Sequence, residues 1–69
     1  MTDTMKLEMI IKDSGLKKGY IAKTMSLSRQ TLDNKIKNRS AFTSIEINAL
    51  CKILNITKME EKEEIFFVL

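Results

Sequence analysis

The chain has no proline and only two glycines, Gly15 and Gly19, among its 69 residues. No stretch of any length alternates between apolar and polar residues, the pattern typical of half-buried strands. Apolar residues recur instead three and four positions apart, the spacing of one face of an α-helix. These features predict a compact all-α fold. A chain this short is near the lower size limit for a core that folds alone, so we expect one domain, residues 1–69.

The composition argues against several classes of protein. With one cysteine and no histidine, the chain has no internal disulfide and no Cys/His zinc site. The missing imidazole base makes nucleophilic catalysis improbable. We therefore expect no enzyme activity, metal, cofactor or small-molecule substrate. The longest apolar run is IFFVL, too short to span a membrane. Because the first eight residues do not resemble a signal peptide, we expect a cytoplasmic protein.

Five helices are predicted from apolar spacing and from capping residues. The predicted bounds are residues 3 or 4 to 14, 17 or 18 to 25, 28 to 37 or 38, 43 to 55, and 57 to 69. Ser28 is the expected N-cap of the third helix. Two T-x-x-E sequences predict capping boxes for the last two helices, formed by Thr43 with Glu46 and by Thr57 with Glu60.

Several residues are expected in the core. In the fourth helix an apolar stripe has the spacing i, i+3, i+4 and i+7. It consists of Ile47, Leu50, Cys51 and Leu54. Cys51 is therefore expected to be a buried small hydrophobe. The methionines at positions 5, 9, 25 and 59 are expected to fill the core.

Positive charge is concentrated in the middle of the chain. Residues 12–39 carry eight cations and two anions, a net charge of +6, whereas residues 1–11 carry −1 and residues 40–69 carry −2. A basic region of this kind is typical of proteins that bind polyanions.

The second and third predicted helices form a helix-turn-helix candidate, because both are short, the turn is tight and the second of the pair is polar. Leu32 and Ile36 lie four residues apart and would anchor the third helix. Its other side carries Arg29, Gln30, Asp33, Asn34 and Lys37. Arginine can bridge guanine bidentately, and glutamine and asparagine can bridge adenine, so this side is suited to a major groove.

Residues 16–38, LKKGYIAKTMSLSRQTLDNKIKN, resemble the core of the lambda-repressor-like (Cro/CI, or XRE) helix-turn-helix family. The likeness is closest to small regulators of temperate phages of Gram-positive bacteria, and the five-helix layout extends it along the chain. The resemblance implies a sequence-specific transcriptional regulator in a bacterial cell. It would bind a double-stranded DNA operator as a homodimer.

The resemblance also implies roles for individual residues. Base contacts are implied for Arg29, Gln30, Thr31 and Asn34. Phosphate contacts are implied for Lys18, Ser28, Lys35, Lys37, Asn38, Arg39 and Ser40. The chain departs from the family pattern at Ser26 in the turn and at Arg39 after the third helix, where glycine is common.

The tail EEKEEIFFVL has two interpretations. Ile65, Phe66 and Leu69 would close the core in the first. In the second, part of the tail stays exposed, because five consecutive apolar residues cannot all face inward from one helix. We therefore predict a dimer or partner interface formed by Phe66, Phe67, Val68 and Leu69. This exposed tail, together with Asp33 on the DNA-facing side, favours an alternative function. The protein would then be an antirepressor or modulator that binds a partner phage repressor, or an antitoxin-like regulator.

Overall fold

A computed structural model describes all 69 residues and contains five α-helices and no strand. The helices are α1 (Thr4–Ser14), α2 (Lys18–Thr24), α3 (Arg29–Ile36), α4 (Ser44–Ile53) and α5 (Met59–Phe66). They form a single body with a radius of gyration of 10.8 Å, which confirms the prediction of a compact all-α fold. None of the five has the length and apolar character needed to cross a membrane.

Side-chain caps begin three of the helices, and two of these caps, Ser28 and Thr43, are predicted from the sequence. The Asp3 carboxylate accepts from the Lys6 amide, and the Ser28 hydroxyl accepts from the Thr31 amide. At α4 both halves of the capping box with Thr43 as N-cap are present. The second predicted capping box is wrong. Lys58 is the N-cap of α5, so Thr57 lies one residue outside the helix, where its side chain does not cap.

The ends of α2, α3 and α4 share one geometry. Each has a non-glycine residue in the left-handed region just after the C-cap, with φ between 58° and 64°. These residues are Ser26, Asn38 and Asn55. The amide of the next residue then donates to the carbonyl five positions back, at 2.8 Å in every case. This is the Schellman arrangement, which satisfies carbonyls that the helix leaves unpaired.

These helix ends bear on the two positions, Ser26 and Arg39, where glycine is common in the family that the sequence resembles. Ser26 does occupy a left-handed position, at a cost on the order of 1 kcal/mol relative to glycine. After α3, however, the left-handed residue is Asn38 and not Arg39. Asparagine tolerates this conformation better than most residues, so Arg39 needs no glycine in its place.

The centre of the core is formed by six side chains without measurable exposure, at least one from each helix. They are Leu7, Ile21, Leu32, Ile36, Leu50 and Ile65. Burying a side chain of this size contributes roughly 1.5–3 kcal/mol to stability. Because the six side chains come from all five helices, one cluster holds every helix in place. Cys51 is buried in this core, as predicted.

Three of the four methionines expected in the core are exposed. Met5 and Met9 lie four residues apart on the side of α1 opposite the buried Leu7 and Ile11, and the exposed Met59 opens α5. Only Met25 packs against the core. The spacing of Met5 and Met9 does place them on one face of α1, but that face points away from the other helices.

The apolar tail divides between core and surface. Phe66 is only 3% exposed and packs edge-to-face against Phe42, with 5.6 Å between ring centroids. This corrects its prediction as an interface residue, because its ring belongs to the core. Phe67, Val68 and Leu69 are exposed, so Leu69 does not help to close the core.

The first three residues are held between α3 and α5. The Asp3 amide donates to the Ile65 carbonyl at 2.6 Å, and the Val68 amide donates to the Met1 carbonyl at 3.0 Å. On the other side, Thr2 is bound by the side chain of Asn38 and is itself buried. This segment therefore joins the end of α3 to the end of α5.

Candidate nucleic-acid interface

The orientation of α3 is fixed by contacts on one side. Ile21 and Ala22 of α2 and Leu32 and Ile36 of α3 are all buried, and α2 packs against α3. The connection between the two helices is short, since α2 ends at Thr24 and Ser28 already caps α3. Because its apolar side is held in this way, α3 presents the opposite side to solvent as a polar surface.

The four residues predicted to contact bases differ in how free they are. Arg29 and Gln30 are exposed and make no side-chain hydrogen bond or ion pair within the chain. Asn34, one turn after Gln30, is half-buried; its amide oxygen accepts from Arg39 at 3.3 Å, while its NH₂ group is unbound. The Thr31 hydroxyl accepts from the Ser28 hydroxyl at 2.8 Å, and the same Ser28 hydroxyl caps α3 by accepting from the Thr31 amide.

Two of the lysines predicted to contact phosphate belong to a chain of ion pairs, which we call the Asp33 network: Glu8, Lys18, Asp33 and Lys37. Lys37 Nζ lies 3.0 Å from one Asp33 oxygen, and Lys18 Nζ lies 3.6 Å from the other. Lys18 also pairs with Glu8 at 2.8 Å. The hydrogen bond from Lys37 is the main cause that lowers the pKa of Asp33, and the charge of Lys18 acts in the same direction.

Lys35 has a structural role that no pattern in the sequence indicates. Its side chain is only 12% exposed, and its Nζ lies 2.9 Å from both the Ala41 carbonyl and a Glu46 oxygen. A hydrogen bond from the Thr43 backbone, followed by the contact with Lys35, holds the pKa of Glu46 below its ordinary value. Lys35 thus ties α3 to the capping box of α4, and its predicted phosphate contact would have to replace these bonds.

Asn38 was also predicted to contact phosphate, and its side chain is likewise engaged. Its amide oxygen accepts from the Thr2 amide at 2.9 Å, and its NH₂ group donates to the Thr2 carbonyl at 2.7 Å. Both hydrogen-bonding groups of Asn38 are therefore used inside the chain. Arg39 and Ser40, which follow it, are exposed.

The exposed polar surface of this region is smaller than the predicted site. Seven of the eleven residues predicted to contact DNA are exposed: Ser28, Arg29, Gln30, Lys37, Asn38, Arg39 and Ser40. Four of the seven have side-chain partners within the chain, so the side chains of Arg29, Gln30 and Ser40 remain free. Only the Asp33–Lys37 pair has a signal in the sequence, since i,i+4 partners meet on a helix. The partners of Lys18 and Lys35 come from other helices, and no local pattern identifies them.

A second surface, formed by the N-terminus, α5 and the tail, has the opposite charge. We call it the tail groove; its volume is about 730 Å³ and its lining comprises Asp3, Lys6, Glu60, Glu63, Glu64, Phe67, Val68 and Leu69. It therefore carries four carboxylates and one lysine, and that lysine is paired with Glu64. Nowhere in the chain do three Cys, Asp or Glu side chains converge in a way that could hold a metal ion.

No family model, curated protein or solved structure matches this chain.

Proposed function

We propose that the protein binds double-stranded DNA through the polar side of α3 and regulates transcription at the operator it occupies. The observation that carries the proposal is the relative position of Gln30 and Asn34 on α3. Both lie one turn apart on the side of α3 opposite Leu32 and Ile36, and the exposed Arg29 immediately precedes Gln30 in the first turn. Amides can bridge adenine and arginine can bridge guanine in the major groove, each good contact contributing about 1–3 kcal/mol of discrimination.

The proposed mode of binding is that of a helix-turn-helix of the lambda-repressor-like family. The short connection between α2 and α3 and the cap at Ser28 support it, because this motif places the N-terminal turns of its second helix at the base edges. Arg39 and Ser40, exposed after α3, are suited to phosphate. A homodimer on two half-sites remains part of the proposal.

The test is a salt-titrated binding assay on DNA that flanks the gene. We expect Gln30→Ala and Asn34→Ala to relax the sequence preference, each by about 1–3 kcal/mol at one base pair. Arg39→Ala should weaken binding to every sequence and reduce the salt slope by about 1. Asn48→Ala removes an exposed amide from α4 and is the matched control. If none of the three α3-region variants differs from this control, the proposed function is wrong.

A second candidate function, a modulator that binds a partner repressor protein, is favoured by the tail groove. Phe67 is 55% exposed there, at the edge of a groove with an excess of carboxylates. The carboxylates of the groove would repel nucleic acid. The surface fits an apolar protein segment flanked by lysine or arginine.

This candidate is tested with any repressor protein that a neighbouring gene encodes. Phe67→Ser combined with Glu63→Lys should weaken its binding, measured by calorimetry, at least about 10-fold, since a buried aromatic anchor and a charge contact are lost together. Met59→Ser changes an exposed apolar residue of α5 that lies outside the groove and should have no effect. An equal loss in both variants, or no binding by the wild type, would reject this candidate.

A further inference from the structure

The Asp33 network removes charge from the surface that is proposed to meet DNA. It consists of two lysines and two carboxylates and is neutral as a whole. Lys18 and Lys37 each contact Asp33, whose side chain is 28% exposed. Asp33 immediately precedes Asn34 in α3. A phosphate that approaches either lysine must therefore replace a carboxylate that is already in place.

We propose that Asp33 sets the DNA specificity of this protein by holding Lys18 and Lys37 away from phosphate. The inference rests on the proposed function and assigns this residue a role in it. Phosphate contacts are made on every sequence, so each cation withheld from them weakens non-specific binding. Gln30 and Asn34 are not part of the network, so the contacts proposed for bases are kept.

The physical reason is an exchange of one anion for another. With Asp33 present, moving a lysine to a phosphate breaks one ion pair to form a second, so the net gain is small. The Asp33 carboxylate also stands beside the groove-facing amides and repels the DNA backbone. Restraint matters here because residues 12–39 carry a net charge of +6, enough to favour binding to any duplex.

The test compares Asp33→Asn with Asp13→Asn. Both variants remove one negative charge, but Asp13 is exposed in the last turn of α1 and has no ion pair. Affinity is measured by fluorescence anisotropy across a salt series, on a random-sequence duplex and on the flanking DNA of the gene. Thermal unfolding of both variants verifies that they fold, and Asp33→Ser serves as a second substitution that removes the carboxylate.

We expect Asp33→Asn to bind the random duplex about 10-fold more tightly near 0.1 M salt, with a salt slope steeper by about 1–2, one unit for each released lysine. The ratio of specific to non-specific affinity should fall. Adding Lys37→Met should cancel part of the gain. Asp13→Asn should change affinity by less than about 3-fold, the effect of net charge alone.

Four other results would overturn the inference. Equal gains in Asp33→Asn and Asp13→Asn would mean that only net charge matters. A change confined to one base pair would make Asp33 a direct reader of cytosine, which carboxylates can contact. If the wild type bound neither duplex, the proposed function would fail together with this inference, whereas wild-type binding without a gain in Asp33→Asn would refute the inference alone.

Discussion

Replacement of Asn38 by alanine should affect stability more than DNA binding. Its amide makes two hydrogen bonds to the backbone of the buried Thr2, at 2.9 and 2.7 Å. Each bond contributes about 1 kcal/mol net. Alanine in the left-handed conformation, at the φ of 64° found here, costs on the order of 1 kcal/mol more. The sum predicts a loss of about 3 kcal/mol in the free energy of unfolding.

Asn55→Ala is the matched control for this prediction. Asn55 has the same left-handed conformation at the end of α4, but its exposed side chain makes no hydrogen bond within the chain. It should lose only about 1 kcal/mol. For a domain of this size each kcal/mol shifts the melting temperature by about 4–8 °C, so the two variants should differ by about 8–16 °C.

Thermal and urea unfolding, followed by circular dichroism, measure both variants. Equal losses would show that the bonds between Asn38 and Thr2 contribute nothing. An Asn38→Ala protein with unchanged melting temperature and weaker binding to every DNA sequence would show instead that Asn38 is a phosphate contact.

Two further predictions concern the same region. Ser26→Gly should raise the free energy of unfolding by about 0.5–1 kcal/mol, because glycine adopts the left-handed conformation without strain, and urea unfolding would contradict this if the variant were less stable. Glu46 has a pKa lowered first by the Thr43 backbone and then by Lys35, so its stabilising effect is complete above the ordinary carboxyl value of 4.5 and is lost as pH falls through the lower folded value. The stability difference between wild type and Glu46→Gln should therefore shrink as pH falls from about 6 to about 3, and a constant difference would count against this role.

Much of the fold follows from local rules. Apolar spacing and capping residues predict the number of helices and most of their ends, because both signals act within a few residues. Where two N-cap positions compete one residue apart, as at Thr57 and Lys58, these rules do not choose correctly. They also do not tell which apolar face is covered, and Met5 and Met9 were misassigned for that reason.

The candidate site was less predictable than the fold. Residue type and helical position predict base contacts for Arg29, Gln30 and Asn34. They do not tell whether a side chain is already bound within the chain. Lys35 meets Glu46 from another helix, and Asn38 meets Thr2 across 36 positions of the chain. Such partners depend on how the helices pack, so sequence patterns overestimated the number of side chains available to phosphate.

The N-terminal segment connects the polar surface of α3 with the tail groove. Residues 1–3 are hydrogen-bonded to Asn38 at the end of α3 and to Ile65 and Val68 at the end of α5. A ligand in the tail groove that displaced this segment would deprive Asn38 of its partners and loosen the end of α3. The affinities for DNA and for such a ligand would then be coupled, and linkage requires each to change the other by the same factor.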